Sequence, residues 1–151
     1  MKFFGRKFIL GLMVLASICC TKKTEDSREL NLEDTVNVVQ SVLADKPLEA
    51  ELIKDFGNQQ LKLITGIAVK HNQQFTFAGK PAQVVSVAGD VYQIHEQHPK
   101  EFYVSIPSIK FFTNDSATIF FIFHAGNATA RFNLKNENGN WVIKNRQYGK
   151  F

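Results

Sequence analysis

The sequence predicts an α+β domain in which N-terminal helices pack on a curved antiparallel sheet that ends in a four-stranded meander. Three observations predict it. Apolar residues recur at helical spacing between positions 32 and 56. They alternate at strand spacing from position 101 onward. Of the 151 residues, 14 are Phe, and most of these fall in the alternating part. Residues 31–151 are enough for one packed domain and too few for two.

The elements follow in order. Asn31 suits an N-cap, since its side-chain carbonyl can accept from the unpaired amides of a first turn, and Glu33 and Asp34 then sit where the helix dipole favours acids. Leu32, Val36, Val39, Val42 and Leu43 form one apolar face of a helix reaching Asp45. Pro47 stops that helix and opens a second, in which Leu48, Leu52, Ile53 and Phe56 share a face until Gly57 ends it. Residues 61–69, LKLITGIAV, fit a third helix or a buried strand, with helix expected as far as Leu63. Residues 73–77 and 83–87 read as strands joined by the turn Ala78-Gly79-Lys80-Pro81. Residues 90–98 are a short helix or strand closed by Pro99.

From Glu101 the pattern becomes an antiparallel meander. Val104 and Ile106 share the face of Phe102, and Pro107 interrupts the ladder, which predicts an edge position or a bulge that re-aims Ile109 and Phe111. Asn114-Asp115 turns the chain. Residues 117–124, ATIFFIFH, are apolar on both faces, so this strand is expected to be central and covered on both sides. Ala128, Ala130, Phe132 and Leu134 then point inward, and Thr129, Arg131, Asn133 and Lys135 outward. Asn138-Gly139 marks a tight hairpin, after which residues 141–148 return as the last strand.

The N-terminal residues are of another kind. Lys2, Arg6 and Lys7 flank an apolar run over residues 8–18, the layout of an export signal and too short for a transmembrane helix. The run closes in Leu15-Ala16-Ser17-Ile18-Cys19-Cys20, which resembles the bacterial lipoprotein signal, where a small-residue box precedes a cysteine that is diacylated and becomes the mature N-terminus. Ile18 departs from that pattern, which has a small residue before the cysteine, so the acylated residue is Cys19 or Cys20. Residues 1–19 are thus read as the signal peptide and residues 20–30 as a charged tether too poor in apolar groups to fold. The resemblance implies a membrane-anchored protein of the bacterial cell envelope, facing the periplasm or the outer surface. No cysteine follows Cys20, so the core must hold without a disulfide of its own.

Removing the signal also removes Lys2, Arg6 and Lys7, which takes 18 basic residues to 15 against 14 acids, a net of +1. The precursor's pI of about 9.1 is therefore no argument for nucleic acid, and no basic stripe remains to bind it.

At the end of the chain, Phe132-x-Leu134 followed by Glu137-Asn138-Gly139-Asn140-Trp141-Val142-Ile143 resembles the closing hairpin of the nuclear-transport-factor-2-like superfamily. Cystatin-like folds, which also wrap a sheet around a helix, are the nearest structural rival. Membership would imply a conical sheet whose concave side meets the helices and often forms a pocket. It would not choose a function, because that fold carries isomerases, dehydratases, ligand binders and assembly modules.

Few residues suit chemistry. His95 and His98 in HEQH are spaced to share one side of a helix, as a divalent metal would use, but further ligands are short, and an exposed polar turn explains the same letters. His124 ends the most apolar strand beside Phe120 and Ile122, and with Tyr92 these outline a site for a small hydrophobic ligand. If the domain is an enzyme, His124, Asp90 and Tyr103 are its acid–base candidates. There is no Gly-rich phosphate loop, Ser-centred elbow or paired-carboxylate signature, and nothing calls for a cofactor. The reading is an envelope lipoprotein acting without catalysis on a small ligand or an envelope protein. Its alternatives are a small-molecule enzyme and an inhibitor-like partner with contact loops near Pro107 and Asn127. Labelled palmitate is expected to enter the chain in its natural host and to be lost in one of Cys19→Ser and Cys20→Ser; no incorporation in the parent rejects the anchor.

Overall fold

A computed structural model describes residues 31–90 and 93–150. The expected signal peptide, Cys19, Cys20, the expected tether and Tyr92 lie outside the described residues. Two helices precede a mostly antiparallel six-stranded sheet. Among the described residues, no helix is long and apolar enough to cross a membrane.

Helix α1 spans Leu32–Leu43 and is capped as expected, with the Glu33 amide donating to the Asn31 side chain at 3.0 Å. Its buried stripe is Thr35, Val38, Val39, Val42 and Leu43. Leu32, expected on that face, is 53% exposed because it opens the helix between the exposed Asn31 and Glu33. Helix α2 spans Lys46–Phe56. Asp45, which the sequence assigned to the end of the first helix, is instead the N-cap of the second and accepts from the Leu48 amide at 3.3 Å. Leu48, Leu52 and Phe56 are buried, whereas Ile53 lies about 100° from the centre of their stripe and is exposed. Gly57 ends α2 at φ 58°, in the left-handed region.

The expected helix through Leu63 is a strand, β1 (Lys62–Ile64). It is hydrogen-bonded on both sides, so tertiary pairing outweighs the local preference of a Leu-Lys-Leu run. The next hairpin also differs. Strand β2 (Thr76–Phe77) returns on β3 (Lys80–Pro81) through Ala78 and Gly79, both at positive φ, so the two strands form a separate ribbon. The Gln40 side chain of α1 holds the ribbon's edge, accepting from the Thr76 amide at 2.9 Å and donating to its carbonyl at 3.1 Å. Strand β4 (Gln83–Val85) leaves the ribbon and pairs with β1 in parallel. A short helix, α3 (Ile94–Gln97), then leads to β5 (Tyr103–Thr113), which flanks β1 on the other side, again in parallel.

The meander is as expected: β5, β6 (Ser116–Phe123), β7 (Ala128–Glu137) and β8 (Asn140–Lys150) pair in sequence and antiparallel, giving the order β4-β1-β5-β6-β7-β8. Pro107 sits at both of its expected contexts. The β5–β6 register slips between Ser105 and Ser108, and β1 pairs with β5 only through Leu63 opposite Val104, so no neighbouring strand asks for the missing Pro107 amide. The chain reverses between β7 and β8 at Asn138-Gly139, with φ 55° and 88°.

One face of this sheet carries the core. Phe102, Val104, Phe121, Phe123, Ala130 and Phe132 are buried there with the helix stripes, and Phe56 of α2 stacks on Phe102 at 4.1 Å. Strand β6 is central but covered fully on that face only: on the other, Phe120 is half-buried under the Arg131 guanidinium, 5.6 Å from its ring.

A second register shift decides the closing edge. Leu134 pairs with Ile143 and Asn133 with Asn145, so Lys144 is extra and the strand's parity reverses after Trp141 and Ile143. Arg146 and Tyr148 therefore stand opposite Phe132 and Ala130, on the core side. From there Arg146 reaches the junction of the two helices, its Nε 2.9 Å and Nη2 2.5 Å from the two carboxylate oxygens of Asp45. The Asp45 side chain is only 6% exposed, that of Arg146 33%. Arg146→Met, which leaves the buried carboxylate without its partner, is expected to cost about 2–3 kcal/mol in urea unfolding. Asp45→Asn keeps a capping acceptor and frees Arg146 to meet water, so its cost should be smaller, about 1 kcal/mol; equal costs would refute this asymmetry.

Candidate functional site

The β5–β6 register builds a polar pair on the face away from the helices. Ser105 lies opposite Ile122, and the His124 amide donates to the Tyr103 carbonyl at 3.1 Å, so Tyr103, Ser105, Ile122 and His124 share one side of the sheet with Phe120. His124 Nε2 is 2.9 Å from Ser105 Oγ, and both residues are buried, at 1% and 8% exposure. Ser105, which the sequence did not single out, is thus the hydroxyl partner of His124. Asp90 is exposed in the bend after β4, its carbonyl accepting from the Gln93 amide at 3.0 Å.

Beside this pair, α3 is tied down. His98 Nδ1 is 2.9 Å from Glu101, whose other carboxylate oxygen pairs with Lys62. The Tyr103 ring lies between, 5.2 Å from the His98 ring and 4.9 Å from Lys62 Nζ. Hydrogen bonds from Lys62 first and His98 second hold the Glu101 carboxyl below its ordinary range. The Lys62–Glu101 pair is therefore intact at neutral pH; it loosens as that carboxylate protonates in acid and as the Lys62 ammonium, which Glu101 holds above its ordinary value, loses its proton in base. His98 is engaged here, the His95 side chain lies outside the described residues, and among the described residues no three His, Cys, Asp or Glu side chains gather as metal ligands.

Two concavities flank these elements. On the Ser105 side, a groove of about 240 Å³ opens where β1 parts from β5, walled by Ile64, Ile67, Ile106, Pro107 and Ile122. On the helix side, a cleft of about 400 Å³ separates α2 from the ends of β6, β7 and β8. Leu48, Leu52 and Phe123 form its apolar wall, with Tyr148 on one side and Glu51 and Asp55 on the other. Past Asp55, Ala128 and Lys150 it adjoins a second depression, of about 490 Å³, beside Lys100. Burial, then the nearby negative charge of Asp45, raises the Tyr148 phenol above its ordinary value, so it remains a hydrogen-bond donor at neutral pH.

The sequence marked Leu48, Leu52, Phe123, Ala128 and Thr129 only as helix or strand positions and none of this cleft as a site, for a physical reason. Glu51 and Asp55 read as a solvated helix face, and Tyr148 points to the cleft only because Lys144 bulges. The available signal was Gly149, just past the expected last strand: a Cβ there would lie 2.8 Å from Thr129 Oγ1, so a larger residue would force the Thr129 side chain to shift.

No family model, curated protein or solved structure matches this chain. The side chains must therefore carry the functional argument. His124→Phe, which strands the buried Ser105 hydroxyl, is expected to cost about 1–3 kcal/mol, while the double variant with Ser105→Ala recovers part of it. A double variant no better than the single one in chemical denaturation would show that the bond between them contributes nothing.

Proposed function

We propose that this chain is a non-catalytic binding domain of the bacterial envelope, held to a membrane by a lipid on Cys19 or Cys20, that takes a small ligand between helix α2 and the sheet. In this reading its helices and sheet enclose a pocket in the nuclear-transport-factor-2-like manner. The observation that carries it is the cleft itself. At about 400 Å³ it falls inside the usual range for small-molecule pockets, roughly 300–1,000 Å³, and it joins an apolar wall to a few convergent polar groups.

Those polar groups suggest the ligand's chemistry. The wall of Leu48, Leu52 and Phe123 suits an apolar body, and Asp55, Glu51, which also pairs with Lys54 at 2.8 Å, and Lys150 form a rim of both charges that suits a polar or zwitterionic head group, with the Tyr148 ring and phenol close by. Binding is favoured over turnover because both carboxylates occupy exposed helix positions, where water screens them and gives neither the environment of a general acid or base. Full-length protein isolated from its natural host and examined by native mass spectrometry is expected to carry a small-molecule adduct. Ala128→Trp, which fills the cleft from a half-buried position, should lose it, and Glu51→Lys with Asp55→Lys should weaken retention at least tenfold. A bare parent, or an adduct unaffected by these changes, would remove the cleft from consideration.

A further inference from the structure

We infer that the groove on the opposite side of the sheet is a second binding site, built for a small apolar carboxylate; this does not rest on the cleft. The groove follows from topology. Strands β4, β1 and β5 run parallel, and the segments after β1 and β4 leave in different directions. The first enters the ribbon, whose Phe75 and Phe77 join the helix-side core. The second passes to the other face, where His98 meets Tyr103. The groove lies at the carboxyl end of β1, between residues 65–67, which leave toward the ribbon, and residues 105–107 of β5, and the carboxyl ends of parallel strands are where open sheets commonly bind ligands.

Its lining has two parts. Ile64, Ile106 and Ile122 are buried and form an apolar floor, and Ile67, 50% exposed, forms a lip. Two hydroxyls interrupt this surface, and each is backed by an imidazole. Ser105 Oγ meets His124 Nε2 at 2.9 Å, while Thr65 Oγ1 meets Ser86 Oγ at 2.9 Å, which in turn meets His71 Nε2 at 2.9 Å. With the Nε2–H tautomer at both rings, Ser105 Oγ accepts from His124 and Ser86 Oγ from His71, Ser86 donates to Thr65 Oγ1, and Ser105 and Thr65 are each left with a proton to donate into the groove.

Lys70 brings a positive charge beside it. Its Nζ donates to the carbonyl of Gly66, itself part of the wall, at 2.9 Å, and among the described residues no Asp or Glu lines the groove. An ammonium making one such bond keeps two further donors for a carboxylate. A cation would meet Lys70 with no carboxylate to offset the repulsion, and a neutral apolar molecule would leave these donors unused. The volume, about 240 Å³, falls just below the range of drug-sized pockets, which points to an acid of about six carbons.

The test is a titration of the purified full-length chain, labelled at isoleucine δ-methyl groups, with hexanoate, hexanol and hexylamine by NMR. Hexanoate is expected to shift the methyls of Ile64, Ile67, Ile106 and Ile122 and to leave those of Ile119, in the helix-side core, and Ile53, on α2, in place. Hexylamine should bind at least tenfold more weakly. Ile67→Asp, at a half-exposed position that leaves the fold intact, should reduce hexanoate affinity tenfold or more, and Lys70→Gln should erase the preference for acid over alcohol. Equal binding of hexanoate and hexylamine would overturn the assignment. So would shifts insensitive to Ile67→Asp, shifts confined to Ile53, or none at millimolar hexanoate.

Discussion

Asp45 and Arg146 are 101 residues apart in sequence, and their paired hydrogen bonds join the two ends of the domain. The same carboxylate caps α2, so one side chain sets where the second helix begins and where the last strand is held. Burying that charge is tolerable only because both its oxygens are met by guanidinium nitrogens and one also by a backbone amide. Much of the helix side depends on this arrangement. Helix α1 packs against β8, Tyr148 meets Phe132 edge to face at 6.2 Å, and the wall of the cleft facing α2 is made of the strand segment that Arg146 anchors.

The two sides of the sheet differ in what they can do. The helix side is dominated by rings and aliphatic chains, and the cleft opens at the margin of their close packing, beside α2. On the other side, α3 covers little, and the residues there are held by polar contacts: the Lys62–Glu101–His98 tether and the Ser105–His124 pair. Buried polar groups demand partners, so this side is more sharply specified than its smaller apolar content would suggest. Ile64, Ile94 and Ile122 are buried yet lie outside the main core, in keeping with a small satellite beneath α3 and its flanking segments.

The mixed sheet is a consequence of short strands. β1 and β4 are each three residues long, too short to impose a face by alternation, and their places come from backbone pairing with strands that are remote in sequence. The ribbon of β2 and β3 is shorter still and is held by Gln40, whose amide stands in for a neighbouring strand.

The sequence by itself determined the features that rest on neighbours in the chain. The Asn31 cap, the break at Pro47, the stop at Gly57, the inward and outward alternation of β7 and the Asn138-Gly139 turn are all local, because capping, proline geometry, side-chain period and positive φ act within a few residues. Tertiary structure decided what depends on pairing between distant residues. The three residues of β1, Lys62–Ile64, are too few to show a period that distinguishes helix from strand, so β1 was settled by β4 and β5. Nothing in NWVIKNRQYGK announces that Lys144 bulges, yet that extra residue turns Arg146 toward Asp45 and Tyr148 toward α2. The pairing of Ser105 with His124 follows likewise from the β5–β6 register beside the Pro107 bulge. Contacts of this kind are made by register, and register is a property of two strands together.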